Sequence, residues 1–101
     1  MQIIIRFPEP SGPVGKLADA ELHFTEGPLA GLKLVGFGVW ERHDHTRIVT
    51  VPTRQYSVNG ERRSFSLLRP AADGASTESV RQEILDAYDQ ILKAGTSEGG
   101  R

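Results

Sequence analysis

The stretch Gly31-Leu32-Lys33-Leu34-Val35-Gly36-Phe37-Gly38-Val39-Trp40-Glu41 decides the architecture. Successive side chains of a strand point to opposite sides of a sheet. One side of this stretch therefore carries Leu32, Leu34, Gly36, Gly38 and Trp40, and the other carries Lys33, Val35, Phe37, Val39 and Glu41. Neither row is built for water, which predicts a strand in the middle of a sheet with both faces covered. Glycine inside a strand marks a bulge or a close approach, so Gly36 and Gly38 are read as packing positions that the helix or Trp40 lies across.

Before this strand, Gln2-Ile3-Ile4-Ile5-Arg6-Phe7 is a β-branched run stopped by Pro8, Pro10 and Pro13. Lys16 to Phe24 alternates, with Ala18, Ala20, Leu22 and Phe24 on one side and Asp19, Glu21 and His23 on the other, as a half-buried strand does. After it, the polar segment Glu41 to Thr46 reads as a hairpin tip leading to Arg47-Ile48-Val49-Thr50-Val51. Pro52 ends that strand because it cannot donate to a ladder. Thr53 to Val58 continues extended to Asn59-Gly60, a strong type I′ hairpin signal, and Glu61 to Leu68 returns. Arg63, Phe65 and Leu67 lie on one side of that return strand.

From Ser76 the period becomes helical. Val80, Ile84, Ala87, Tyr88 and Ile91 share a face, widened by Leu85 and Leu92. Ser76 or Thr77 suits the cap, Ser79 to Gln82 suits a capping box, and Gly95 suits the stop. The class predicted is α+β, a small antiparallel sheet of about five strands with one C-terminal amphipathic helix packed on one face. The domain spans 1–94 and residues 95–101 are expected to be a flexible tail. One helix covers one face of the central strand, so a second copy, a homodimer, is the expected cover for the other.

A chain of 101 residues has room for one core. With no cysteine, disulfides, zinc-thiolate sites and thiol catalysis are excluded. The apolar start is too short for a signal peptide and no segment reaches the roughly 18 apolar residues of a membrane span, so a cytoplasmic protein is expected. The net charge of -1 hides an uneven distribution. Residues 47–69 carry five Lys/Arg against one Asp/Glu, between an acidic first block (four against six) and an acidic last block (three against six).

Arg47, Arg54, Arg62, Arg63 and Arg69, with Tyr56 and Gln55 among them, form the candidate binding surface. Arginine pairs phosphate bidentately and tyrosine stacks on an unpaired base, a mixture suited to single-stranded nucleic acid. Alternation places Arg62 and Arg63 on opposite sides, so the five do not share one face. His43-Asp44-His45 resembles a metal pair but lacks an evident third ligand and reads as a polar turn. Ser57, Ser64 and Ser66 have no nucleophile setting, and Gly36-Phe37-Gly38 lacks the following helix of a phosphate loop. No enzyme and no cofactor are expected.

The order of parts resembles that of the stage V sporulation protein G (SpoVG-like) family from about Gln2 to about Leu92. The residues that carry the resemblance are Ala18-Asp19-Ala20-Glu21-Leu22, Gly36-Phe37-Gly38-Val39-Trp40-Glu41, Val51-Pro52-Thr53-Arg54, Gly60-Glu61-Arg62-Arg63, Leu68-Arg69-Pro70 and Ile84-Leu85-Asp86-Ala87-Tyr88. The resemblance implies a small bacterial dimer that binds DNA or RNA and regulates gene expression. Carried over by position, the basic residue after the proline is Arg54, and the following hairpin supplies Arg62 and Arg63. The family is thought to use basic residues at and around the start of the helix. Here the helix has Arg81 and Lys93 among Glu78, Glu83, Asp86 and Asp89, which moves the expected contact to the 47–69 hairpin. The alternative is a protein-interaction or structural module of the same fold.

Overall fold

Six strands precede one long helix in the computed structural model, which describes residues 1–9 and 12–99. Strands β1 (Gln2–Arg6), β2 (Lys16–His23), β3 (Lys33–Glu41) and β4 (Arg47–Thr50) form one antiparallel sheet in the order β1-β2-β3-β4. A 3₁₀ turn at Gly27–Leu29 joins β2 to β3. Strands β5 (Thr53–Val58) and β6 (Glu61–Ser66) pair only with each other, and α1 (Glu78–Gly99) packs on one face of the larger sheet. The class is α+β, with the strands divided four and two instead of lying in one sheet of about five.

The core is the row of small and large residues that the alternation of β2 predicts. Ala18, Ala20 and Leu22 meet Phe37 and Val39 of β3, Val49 of β4, and Ile84 and Tyr88 of α1. The two alanines keep the centre of the sheet low, so the helix approaches closely and Phe37 and Ile84 lose all contact with solvent. Ser76 Oγ accepts a hydrogen bond from the Glu78 N–H at 3.3 Å, satisfying one of the free donors of the first turn. Gln82 takes no part in a capping box and donates instead to Asp86 Oδ1, one turn on, at 3.0 Å. The helix also continues past Gly95 to Gly99; no proline stands there to block its ladder. Of the expected tail, residues 100 and 101 lie outside the described residues.

The expected division of β3 into two alternating rows is broken by a bulge. Ala20 pairs with Phe37 but Leu22 pairs with Leu34, so Val35 and Gly36 together oppose the single residue Glu21. The extra residue shifts the phase by one and turns Leu34 to the same side as Phe37 and Val39, against the helix. Gly36 makes this possible, at φ +106 and with its Cα facing the buried Pro52.

The opposite face of β3 is partly occupied by side chains of the chain itself. Trp40 lies across Gly38, where an added Cβ would stand 2.6 Å from Trp40 Nε1, and the indole donates to Thr50 Oγ1 at 3.1 Å. Lys16 Nζ sits 5.6 Å above the indole centroid. Beside it, Glu21 accepts from Arg6 Nε at 3.0 Å and Lys33 Nζ at 3.2 Å, and its Oε1 lies 2.9 Å from His23 Nε2. The chain covers part of this face with its own side chains, while Val35 stays 50% exposed and Trp40, Ile48 and Thr50 line an open groove with Val14.

Those bonds, His23 first and Arg6 next, hold the Glu21 carboxyl at about 2 against an ordinary 4.5. A depressed folded-state value contributes stability that is complete above the unfolded value and disappears as pH falls from about 4.5 to about 2. Glu21→Gln is therefore expected to flatten the acid limb of a urea-midpoint against pH curve over that window. An unchanged limb would show that other carboxylates govern acid unfolding.

Candidate nucleic-acid interface

The sheet β5–β6 is an arm. Pro52, seated on Gly36, bends the chain away from β3, and the Leu67 N–H donates to Pro52 O at 2.8 Å to close the root of the hairpin. Asn59 at φ +52 and Gly60 at φ +81 form the tight turn at the tip, both in the left-handed region that a type I′ turn requires. Every residue of β5 and all of β6 up to Phe65 is exposed. The radius of gyration, 15.8 Å, exceeds the roughly 13 Å of a compact chain of about 100 residues, an excess to which both the arm and the 22-residue helix contribute.

The register set by the turn sorts the arm into two unlike faces. Thr53 with Ser66, Gln55 with Ser64, and Ser57 with Arg62 make one face of hydroxyls, an amide and a single cation. Arg54 with Phe65, Tyr56 with Arg63, and Val58 with Glu61 make the other. On this second face each aromatic ring stands directly across from a guanidinium. Tyr56 and Phe65 remain 41% and 38% exposed, with ring centroids 5.8 Å apart and planes tilted by 57°. Among the described residues Arg63 has one ionic contact, a long one of 3.5 Å with Glu61.

The candidate residues are therefore split. Arg54, Tyr56 and Arg63 share the mixed face, and Arg62 points the other way. Arg47 lies on the main sheet, where its guanidinium holds Asp89 of α1 at 2.6 Å and covers the Tyr88 ring at 5.1 Å. It clamps helix to sheet and is separate from the arm. Arg69 lies past the arm root, lining a crevice of about 490 Å³ with Ser66, Pro70, Thr77 and Arg81. There Arg81 is already committed to Thr77 Oγ1 at 3.0 Å and Val49 O at 2.9 Å.

Phe65 is the functional candidate that the sequence reading placed on a strand face without singling out. Its signal was present: an Asn59-Gly60 turn pairs residues whose numbers add to a constant, which sets Phe65 opposite Arg54. The His43-Asp44-His45 tip is a turn. Asp44 accepts from the Thr46 hydroxyl at 2.6 Å and the Thr46 N–H at 3.1 Å, which together lower its carboxyl, and His45 takes φ +69. Among the described residues no group of three potential ligands is placed to hold a metal ion. Nor is any helix among them long and apolar enough to cross a membrane.

Comparison with protein families, curated proteins and solved structures finds no match for this chain.

Proposed function

We propose that the chain is a non-catalytic nucleic-acid-binding protein of the SpoVG-like type, and that the arm binds a single strand through Arg54, Tyr56, Arg63 and Phe65. The observation that carries this reading is the pairing of each exposed ring with an arginine on one face of a projecting hairpin. Bases stack on the rings whatever their identity, and the guanidiniums beside them meet the phosphates of the same strand. The net charge of -1 argues for a local contact of this kind over a wholly basic surface. A duplex offers no free base faces, so single strands are the preferred partner.

Fluorescence anisotropy with labelled single- and double-stranded oligonucleotides tests this. Two to three phosphate contacts predict a loss of roughly 5- to 20-fold in affinity between about 50 and about 200 mM salt. Tyr56→Ala is expected to weaken binding by about 1–3 kcal/mol, with Phe65→Ala comparable. Arg47→Ala is expected to leave binding unchanged, because Arg47 belongs to the helix clamp. Absence of salt-sensitive binding to either form would refute the proposal. It would favour a protein-docking arm, which the exposure of Tyr56, Val58 and Phe65 on one face also suits.

A further inference from the structure

Where α1 begins, the segment 67–71 that returns from the arm passes beside the larger sheet, and a cavity of about 400 Å³ lies between sheet, segment and helix. Its apolar walls are Leu22 of β2, Phe24 just after that strand, Leu34 of β3, Leu68 of the segment and Val80 of α1. Leu34 stands there because the bulge turned it to the helix side. Of these five only Leu22 is buried, so the cavity is an apolar hollow that solvent reaches. A close-packed interior leaves no such space, and wetted apolar walls gain free energy from an apolar occupant. The volume falls within the range of small-molecule sites.

One end of the hollow is built for a negative charge. Arg69 and Thr77 line it there and also line the crevice beside Val51 and Arg81, on the β4 side of the sheet. Glu83 lies towards the other end, where it joins Met1, Ile3 and Ala87 around a surface hollow on the β1 side, so it does not neutralise Arg69. Among the described residues Arg6, Lys16, Lys33, Arg47 and Arg63 have acidic partners, and Arg69 has none. Arg81 is already held by Thr77 Oγ1 and Val49 O. Thr77 accepts from Arg81 and keeps its own O–H to donate.

We propose that this hollow binds a small carboxylic acid with an apolar body, of the medium-chain fatty acid kind. The tail lies against Phe24, Leu34 and Val80, and the carboxylate pairs with Arg69 and the Thr77 hydroxyl. A carboxylate matches the guanidinium fork bidentately. One unpaired guanidinium suits one negative charge, whereas a phosphate monoester carries about twice that and would be left half-compensated. An amine of the same length would fill the walls but meet Arg69 with a like charge. The hollow lies off the ring-and-arginine face of the arm, so the assignment does not depend on the nucleic-acid reading. It gives Arg69 a task separate from the arm.

Methyl NMR on the full chain, titrated with octanoate or octylammonium and without oligonucleotide, tests the proposal. Octanoate is expected to shift the Leu22, Leu34, Leu68 and Val80 methyl signals saturably below about 10 mM, an affinity within reach of so small a ligand. Arg69→Gln, at an exposed position, is expected to weaken octanoate binding roughly 10-fold. Ala75→Trp, on the exposed loop that lines the hollow, is expected to fill it and abolish the shifts while the other methyl signals report an intact fold. Should that variant fail to fold, the Arg69 comparison decides. The absence of a saturable octanoate shift would overturn the proposal, as would equal binding of octylammonium or an octanoate affinity that Arg69→Gln leaves unaltered. Loss of oligonucleotide binding would leave these measurements unaffected.

Discussion

Replacing Phe37 with alanine is expected to destabilise the fold by about 3–5 kcal/mol, the largest single effect in this chain. Phe37 of β3 is fully buried, packed in one cluster with Ala20, Val39, Ile84 and Tyr88 between the sheet and α1. The residues around it cannot refill the space: Ala18 and Ala20 are small, and the helix is tethered to the sheet by Arg47–Asp89 and by Arg81 to Val49. The loss is therefore transfer free energy plus a cavity that persists. Small domains are stable by only about 5–15 kcal/mol, so a large share of the population unfolds. The midpoint of urea unfolding should fall steeply at unchanged slope. A loss below about 1 kcal/mol would mean that the core rearranges freely and that this packing is not what holds helix to sheet.

Gly36→Ala is expected to cost about 2–5 kcal/mol, from two separate sources. The backbone there has φ +106, where an L side chain is strained, and an added Cβ would stand 2.8 Å from Cβ of the buried Pro52. Relief would require either the bulge or Pro52 to move, and Pro52 sets the direction in which the arm leaves the sheet. Gly60→Ala is the control. It shares a positive φ, +81, but has nothing within 4 Å of the new methyl, so only the conformational cost of roughly 1 kcal/mol remains. Urea titrations of the pair separate strain from collision; equal losses would show that contact with Pro52 contributes nothing.

The glycines of β3 also show how far the sequence can be read. Their placement in a central strand was legible, as was their role in close packing, because a strand interior tolerates glycine only for such reasons. Which way Leu34 points was not. Alternation holds only while the register is unbroken, and whether a glycine at a given position opens a bulge depends on the strand across from it. The expectation that β3 needs a second cover followed from that unbroken phase. With the bulge in place, Trp40 lying on Gly38 and the Glu21 cluster occupy part of the far face, while Val35 stays exposed there.

The arm divides in the same way. A basic hairpin over 47–69, its Asn59-Gly60 turn, and the opposition of Arg62 to Arg63 could all be written down from residue types and period. Its separation from the sheet could not, because nothing local distinguishes a fifth strand that pairs with β4 from one that turns away. The exclusion of Arg47 from the arginine group has the same origin, since its partner Asp89 is 42 residues away.

By itself, then, the sequence determined everything that rests on period and on individual backbone preference: the α+β class, the alternating β2, the helical face of Ile84 and Tyr88, the turn at Asn59-Gly60 and the charge imbalance of the 47–69 block. Only the tertiary structure decided the bulge at Val35-Gly36, the projection of the arm, the ring-and-arginine face and the hollow beside Leu34. Each of these depends on which distant residues meet across space, Glu21 with Gly36, Pro52 with Gly36, Leu34 with Val80 around the hollow, and no local pattern encodes such a meeting.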